Sequence, residues 1–172
     1  RAIGRYLKMH NLLPDIVYTS HLKRTQQTAT AALEEAGHSC PVASHDLFDE
    51  IAYGPDENQT EDIVIQRLGE DALKAWDKDG IMPAEWFPRP EDISRGWQDF
   101  VQSILNTKQG KTVLIVTSNG VARFAPELTG DFEGFRKNHK IKISTGGLCI
   151  MDHDDTNWHI REWNVKPALE NA

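Results

Sequence analysis

The sequence predicts an α/β fold, a three-layer αβα sandwich in which helices cover both faces of a mainly parallel central sheet. Residues 113–116 form a short apolar run without alternation, which is typical of a strand buried on both faces. A strand-like run at 15–19 leads directly into a helical pattern. Residues 93–105 carry a wide apolar helical face that needs a sheet to cover it. The order helix, strand, helix then predicts right-handed crossovers.

The chain opens on a predicted helix that lacks a start signal. Side chains keep helical spacing from the beginning, without a capping residue before them, at Ile3, Tyr6, Leu7 and His10. Such a pattern indicates a helix that began earlier. We therefore expect the sequence to lack an N-terminal segment.

The strand at 15–19 and a helix at 21–36 follow. Ser20 is the expected N-cap, because its side-chain oxygen can accept a hydrogen bond from a free N–H of the first helical turn. Gly37 is expected to end the helix, since glycine readily adopts the left-handed conformation found there.

The second half of the chain is predicted to contain a helix, a strand and an antiparallel hairpin at the sheet edge, in the order 93–105, 113–116, and 141–151 paired with 158–165. The turn at 152–157 contains His153, Asp154 and Asp155, a composition that also occurs in metal sites. Exposed turn residues are the preferred interpretation, and no metal site is predicted.

Composition limits the classes of partner. A chain of 172 residues suits one domain, 1–172, with one core. The formal charge of -7 argues against a nucleic-acid partner, and no apolar run approaches the ~20 residues that span a bilayer. Cys40 and Cys149 can form at most one bridge, which favours a cytoplasmic location. No glycine-rich nucleotide loop occurs, so no cofactor is predicted.

Two predicted strands end in residues that suit an anion. Ligands of open α/β sheets collect at the carboxyl ends of the strands, where Ser20 and Ser118 stand. Arg24 falls in the first turn of a helix, and its planar fork of donors matches phosphoryl oxygens. Asn119 and the N–H of Gly120 could face the same pocket. The alternatives from the residues alone are a surface arginine and an ordinary Asn-Gly turn.

Three segments carry motif-like patterns, in the order 20–29, 47–54 and 113–123. They resemble, in that order, motifs of the histidine phosphatase superfamily, the phosphoglycerate mutase-like enzymes. Residues 20–29, Ser-His-Leu-Lys-Arg-Thr-Gln-Gln-Thr-Ala, resemble its second arginine motif. Residues 47–54, Leu-Phe-Asp-Glu-Ile-Ala-Tyr-Gly, resemble its acid segment. Residues 113–123 resemble its strand that ends in Ser-His-Gly-Gly-x-x-Arg. The similarity extends from Arg1 to about Asn164.

The resemblance implies a phosphomonoester phosphatase or phosphoryl-transfer enzyme with a phosphohistidine intermediate and a small phosphorylated substrate. It implies Glu50 and Asn119 as catalytic residues, with Glu50 as acid and base. Arg24, Ser20 and Gly120 would bind phosphate. The residues expected to contact the substrate or support the site are Arg123, His21 and Glu57.

Two departures from the family pattern affect this expectation. No Arg-His-Gly tripeptide, which carries the family's nucleophile, occurs in the sequence. Asn119 stands where the family has its second active-site histidine. We therefore expect the chain as given to be inactive. The alternative function is a catalytically silent phosphate-binding or interaction domain that retains the fold.

Residues 60–92 match the family weakly and are predicted to form a cap insertion over the pocket. Its aromatic residues Trp76, Trp86 and Phe87 would then decide specificity. A phosphatase is favoured over a mutase, because no insert that would shape a bisphosphate-exchange site is recognisable. The identity of the substrate and the oligomeric state remain open.

Overall fold

A computed structural model describes residues 1–108 and 110–167. The helices are Ala2–Met9 (α1), Lys23–Ala36 (α2), Glu61–Leu68 (α3), Glu70–Asp79 (α4), Pro90–Lys108 (α5), Asn119–Ala122 (α6) and Phe132–Asn138 (α7). The strands are Ile16–Thr19 (β1), Val42–Ser44 (β2), Val113–Val116 (β3), Leu148–His153 (β4) and Trp158–Val165 (β5). Three short 3-10 helices cover Asp46–Phe48, Gly54–Asp56 and Ala125–Thr129.

The central sheet is parallel, in the order β2-β1-β3. Val17 of β1 pairs with Val42 on one side and with Leu114 on the other, and its side chain is fully buried. Residues of α2 cover one face of the sheet, and residues of α5 belong to the core on the other face. The predicted α/β sandwich is thus confirmed.

The position of β3 differs from the prediction. All four of its residues are partly exposed, and β3 lies at the edge of the three-stranded sheet. The Thr112 and Val116 carbonyls accept hydrogen bonds from the N–H groups of Asp15 and Ser20 on the β1 side. Within the described ranges, no strand pairs with the opposite edge of β3. The apolar run therefore makes a strand whose burial on both faces is incomplete.

The hairpin β4–β5 forms a separate two-stranded sheet rather than the edge of the main one. Both sheets nevertheless share their cores. Leu114 of β3 packs in one apolar cluster with Leu148 of β4, beneath α1. Ile115 of β3 packs with Met151 of β4 around the larger cluster that contains α5. The two sheets therefore lie in one layer, with an unpaired edge of β3 at their junction.

The strand predicted from residue 141 begins only at Leu148. The preceding stretch is held by side chains instead of by a ladder. The N–H of Ile143 donates to Asn119 Oδ1 at 2.8 Å, and the N–H of Ser144 donates to Asn164 Oδ1, also at 2.8 Å. These contacts hold residues 143 and 144 next to Asn119, at the carboxyl end of β3, before the hairpin begins.

Helix α2 begins two residues later than predicted. Its N-cap is Leu22, whereas the hydroxyl of Ser20 accepts from the Leu22 N–H at 3.2 Å and bonds Thr25 Oγ1 at 2.6 Å. Ser20 thus shapes the turn before the helix and does not cap it. The predicted end is confirmed, because Gly37 lies in the left-handed region with φ 64°.

The segment 60–92 contributes to the main core. Trp76 and Trp86 are buried in the cluster that also contains α5, and Trp86 donates to Asp56 Oδ2 at 2.8 Å. Of the three aromatic residues expected to line a cap, Phe87 is exposed, at 57%. The cap itself stays a prediction, but the two tryptophans serve the core.

Three further features of the described residues concern the cysteines, the hairpin turn and the lengths of the helices. Cys40 and Cys149 are free thiols. Asp154 accepts the N–H groups of Thr156 and Asn157 in the hairpin turn, as expected of a turn residue, although His153 belongs to β4. None of the helices in the described ranges has the length and apolarity that a membrane crossing requires.

Candidate active site

The candidate site lies where β1 and β3 end, next to the segment that precedes Ile51. Arg24 stands in the first turn of α2, and its Nη2 donates to Ser118 Oγ at 2.9 Å. The same nitrogen lies 3.4 Å from Glu50 Oε2. Arg24 remains 62% exposed, so its other donors are available to a ligand. Three motifs that are far apart in sequence therefore converge on one guanidinium.

Glu50 packs tightly against the start of α6. Its Oε1 accepts the Ile51 N–H at 3.0 Å. A Cβ at Gly120 would lie 2.6 Å from Glu50 Oε1 and 2.9 Å from Ile51 Cγ1, closer than real contacts allow. Glycine at this position therefore lets the backbone after β3 approach the carboxylate.

Tyr53 is a further member of the site that the sequence analysis missed. Its phenol lies close enough to the Glu50 carboxylate to be affected by its charge. Burial, followed by the charge of Glu50, raises the pKa of Tyr53 above its usual range. The phenol consequently stays protonated at neutral pH and can donate to the carboxylate. Its position three residues after Glu50 in the acid segment was the available signal.

Asn119 is held in a defined orientation. Because its Oδ1 accepts the Ile143 N–H, its side-chain NH₂ group is left to donate elsewhere. This arrangement fits the expected role of a neutral donor to a phosphoryl oxygen. The partner Ile143 lies 24 residues further along the chain and could not be identified from the sequence.

Arg123 lies beneath the site, and its side chain is buried. It is 1% exposed, stacks 3.7 Å over the ring centroid of Trp76 and donates to the Trp76 carbonyl at 2.7 Å. Its Nε donates to the Asn119 carbonyl at 3.3 Å. Burial lowers the pKa of Arg123 to about 10, with Asp77 opposing the shift, so the guanidinium keeps its charge at neutral pH. Arg123 thus supports the Asn119 loop, which is one of the two roles expected for it.

Ser20, another expected phosphate ligand, has a different place. It is 0% exposed, and its hydroxyl is bonded to Thr25 and to the Leu22 N–H. The structure therefore places the hydroxyl inside the protein, where it stabilises the turn that presents Arg24. Gly120, in contrast, lies against Glu50 as described above.

The two remaining predicted residues flank the acid segment. His21 contacts Asp49, with Nδ1 at 3.0 Å from Oδ2. Asp46 lies nearby, and one atom from each of these three residues falls within 4.8 Å of the others. Glu57 is exposed and accepts the Tyr53 N–H at 3.0 Å, on the side of the tyrosine.

The geometry suits a bound anion beside a proton donor. An oxyanion bound to the free donors of Arg24 would lie next to the carboxyl of Glu50. A carboxyl group within hydrogen-bond reach of a bound ester can protonate its leaving oxygen. The arrangement is therefore compatible with a phosphoryl group bound next to a carboxyl group.

Comparison with known proteins identifies the class. The family model described as histidine phosphatase superfamily (branch 1) matches residues 1–166. The chain belongs to the histidine phosphatase superfamily, as the motifs indicated. A 2,3-bisphosphoglycerate-dependent phosphoglycerate mutase of Bartonella quintana is 30% identical over 123 residues, which are 70% of this chain and 60% of that protein. The chain thus spans about 60% of the length of this curated relative.

Solved structures show the same fold. The chain is similar to YhfR of Bacillus stearothermophilus, with a TM-score of 0.75, 22% identity, and coverage of 95% of this chain and 79% of that one. It is also similar to a mycobacterial glucosyl-3-phosphoglycerate phosphatase in complex with inorganic phosphate. There the TM-score is 0.77 and the identity 13%, covering 96% of this chain and 84% of the other.

Proposed function

We propose that the protein, in its complete form, is a phosphomonoester phosphatase that acts through a phosphohistidine intermediate on a small phosphorylated substrate. The observation that carries this proposal is the position of Arg24 between Ser118 and Glu50. A phosphoryl group needs fixed donors around its equatorial oxygens, and an ester needs an acid at its leaving oxygen. Family membership supports the reaction class.

The residues divide the reaction between them. Arg24, the NH₂ of Asn119 and the N–H of Gly120 hold the equatorial oxygens. An imidazole attacks phosphorus, the bond from phosphorus to the ester oxygen breaks, and Glu50 gives its proton to that oxygen. Water then attacks phosphorus, Glu50 takes a proton from it, and phosphate leaves the imidazole. The protonated phenol of Tyr53, next to Glu50, is proposed to donate to the carboxylate and to orient it.

The nucleophile is proposed to come from outside these 172 residues. The unpaired edge of β3 supports this idea, because it lies at the junction with β4 and has partly exposed apolar residues. An extended segment placed there would complete one continuous sheet, with its carboxyl end beside Asn119. A histidine at that end would reach the phosphoryl group held by Arg24.

Phosphatase is proposed over mutase on the absence of a recognisable insert for bisphosphate exchange, although both kinds of name occur among the similar proteins. The specificity region is proposed to be the segment 60–92, with Phe87 as its exposed aromatic residue. A cytoplasmic location is proposed from the two free cysteines.

A catalytically silent domain is the second candidate, and Asn119 is the observation that favours it. A neutral amide carries no positive charge toward the transition state. Glu50 argues against it, because a module that only binds phosphate gains little from a carboxylate 3.4 Å from its arginine.

Turnover of para-nitrophenyl phosphate by the full gene product tests the proposal. We expect hydrolysis, with Glu50→Gln reducing kcat/KM for alkyl phosphates about 100-fold or more, the usual effect of losing a general acid. The matched control is Glu133→Gln on α7, an exposed glutamate that pairs with Arg136 and has no proposed role in the site. A purified full product that binds phosphate but hydrolyses no phosphomonoester would establish the silent domain instead.

A further inference from the structure

His21 and Asp49 lie on the two segments that present Arg24 and Glu50. His21 stands between β1 and α2, three residues before Arg24, and Asp49 directly precedes Glu50. The backbone N–H of His21 donates to Asp49 Oδ1 at 2.7 Å. The ring Nδ1 lies 3.2 Å from Oδ1 and 3.0 Å from Oδ2 of the same carboxylate. The Asp49 carboxylate thus contacts both the backbone N–H and the ring of His21.

The inner sides of both segments are anchored by burial, but their outer sides are not. Phe48 and Ile51, which stand on either side of Asp49 and Glu50 in the sequence, are buried in the core. The His21 and Asp49 side chains are 54% and 41% exposed, on the solvent side. The contact between Arg24 and Glu50 is long and exposed, and such ion pairs contribute little by themselves. This ion pair is therefore too weak to fix the distance between Arg24 and Glu50.

We propose that His21 and Asp49 form a positioning pair that aligns the Glu50 carboxyl with the phosphoryl group bound by Arg24. This inference rests on the proposed function, because it assigns the pair to the proton donation step. The pair touches neither the phosphoryl group nor the leaving oxygen. It acts by holding the backbone just before Glu50 against the turn before α2.

The two ties predict graded effects. Removing the ring in His21→Ala breaks the Nδ1 contacts but keeps the backbone N–H donor. Removing the carboxylate in Asp49→Ala breaks both ties, so its effect is larger. His21→Asn restores a side-chain donor and is expected to recover part of the loss. Asp46, whose Oδ1 is 3.7 Å from Nδ1 and whose side chain is almost fully exposed, is not required.

The leaving group separates positioning from general structural damage. An aryl phosphate has a good leaving group that needs little protonation, whereas glycerol phosphate has an alkoxide leaving group that depends on the acid. The measured quantity is the ratio of kcat/KM for glycerol phosphate to kcat/KM for para-nitrophenyl phosphate, because kcat/KM includes the departure of the leaving group. The inhibition constant of inorganic phosphate reports whether Arg24 still binds.

The experiment uses the full gene product. We expect Asp49→Ala to lower the ratio about 10- to 100-fold, His21→Ala to lower it less, and the phosphate inhibition constant to change less than threefold. The control is His159→Ala, which removes a comparably exposed His–Asp pair in the β4–β5 hairpin, where His159 Nε2 lies 2.6 Å from Asp154 Oδ2. Asp49→Asn, which keeps an oxygen for the His21 N–H, serves if Asp49→Ala does not fold.

An unchanged ratio in the Asp49 variants would overturn the positioning role, as would equal losses on both substrates. A parent protein that hydrolyses neither substrate would instead refute the proposed function, on which the pair's role depends. The two failures are therefore distinguishable in the same assay.

Discussion

At the scale of single residues, Arg24 is the group on which the proposed phosphate binding depends. Its guanidinium contacts Ser118 and Glu50 with one nitrogen and is otherwise open to solvent. A hydrogen bond from a charged donor is stronger than a neutral one because it is charge-assisted. The neighbouring Glu50 carboxylate accepts from Nη2, so other N–H groups of the guanidinium remain available to phosphate.

Replacing Arg24 by alanine should weaken phosphate binding. We expect a loss on the order of 1.5–3 kcal/mol, the range for a charged hydrogen bond, measured by titration calorimetry with inorganic phosphate. Arg24→Lys should recover only part of it, because the ammonium lacks the planar fork. Arg95→Ala on α5, an exposed arginine paired with Asp92, is the control. Equal binding by Arg24→Ala and the parent would mean that the pocket is elsewhere.

Asn119 poses a second question at this scale, since a neutral amide occupies the place of a family histidine. Its Oδ1 is engaged by the Ile143 N–H, which directs the NH₂ group away from that contact. A neutral histidine at 119 could accept the same N–H at one ring nitrogen and donate with the other. The substitution therefore preserves both functions of the amide.

In the full gene product, Asn119→Ala should lower turnover of para-nitrophenyl phosphate by ~10²–10³, the usual effect of removing a preorganised donor. Asn119→His should preserve or raise it. Asn164→Gly is the matched control, because Asn164 makes the equivalent bond to the Ser144 N–H but has no proposed contact with phosphate. Parent-like activity of Asn119→Ala would reduce Asn119 to a turn residue and favour the silent domain.

At the scale of elements, the site depends on how closely two segments pass. The start of α6 approaches the acid segment so closely that Gly120 has no room for a side chain. Below it, Arg123 joins the Asn119 carbonyl to the Trp76 carbonyl of α4. The segment 60–92 therefore contacts the residue that supports the Asn119 loop, through the Trp76 carbonyl of α4.

The strands show the same dependence. A run such as Val-Leu-Ile-Val predicts a strand because of its β-branched residues, but its neighbours are chosen by the rest of the fold. Among the described residues, β3 pairs with β1 alone, and β4 pairs with β5 alone. The shared clusters around Leu114 and Ile115 keep the two sheets in one layer.

At the scale of the whole molecule, the residues proposed to bind phosphate belong to these 172 residues, whereas the proposed nucleophile does not. Its proposed place is the edge of β3 that has no partner among the described residues. Arg24, Glu50 and Asn119 are all present and arranged, whereas the sequence contains no Arg-His-Gly tripeptide. The proposed mechanism therefore predicts that phosphate binding and turnover can be separated in this protein.

The 172-residue chain should bind phosphate yet show no phosphatase turnover, while the full gene product shows both. Activity on para-nitrophenyl phosphate and calorimetry with phosphate, performed on both proteins, provide the comparison. Thermal unfolding should also occur at a higher temperature in the full product, because a strand paired with β3 would bury its edge. Comparable turnover by the two proteins would place the nucleophile among the seven histidines of the chain.

Sequence reasoning was most accurate for features that depend on neighbours in the chain. The period of apolar residues predicted α2 and α5, and the glycine after α2 predicted its end. The motifs brought Arg24 and Glu50 to the same site, as the structure shows. Ser20, in contrast, was expected to bind phosphate, and only tertiary packing revealed that its hydroxyl is enclosed with Thr25.

The sequence by itself determined the fold class, the family and the segments that carry the site, because periodicity, turn residues and motif spacing are local properties. The tertiary structure alone decided which distant groups meet them. Ile143 orients Asn119, Trp76 covers Arg123, and the His21–Asp49 pair joins two segments 28 residues apart. Such contacts depend on how the packed elements are placed in space. The residue type at one position does not identify the distant residue that it contacts.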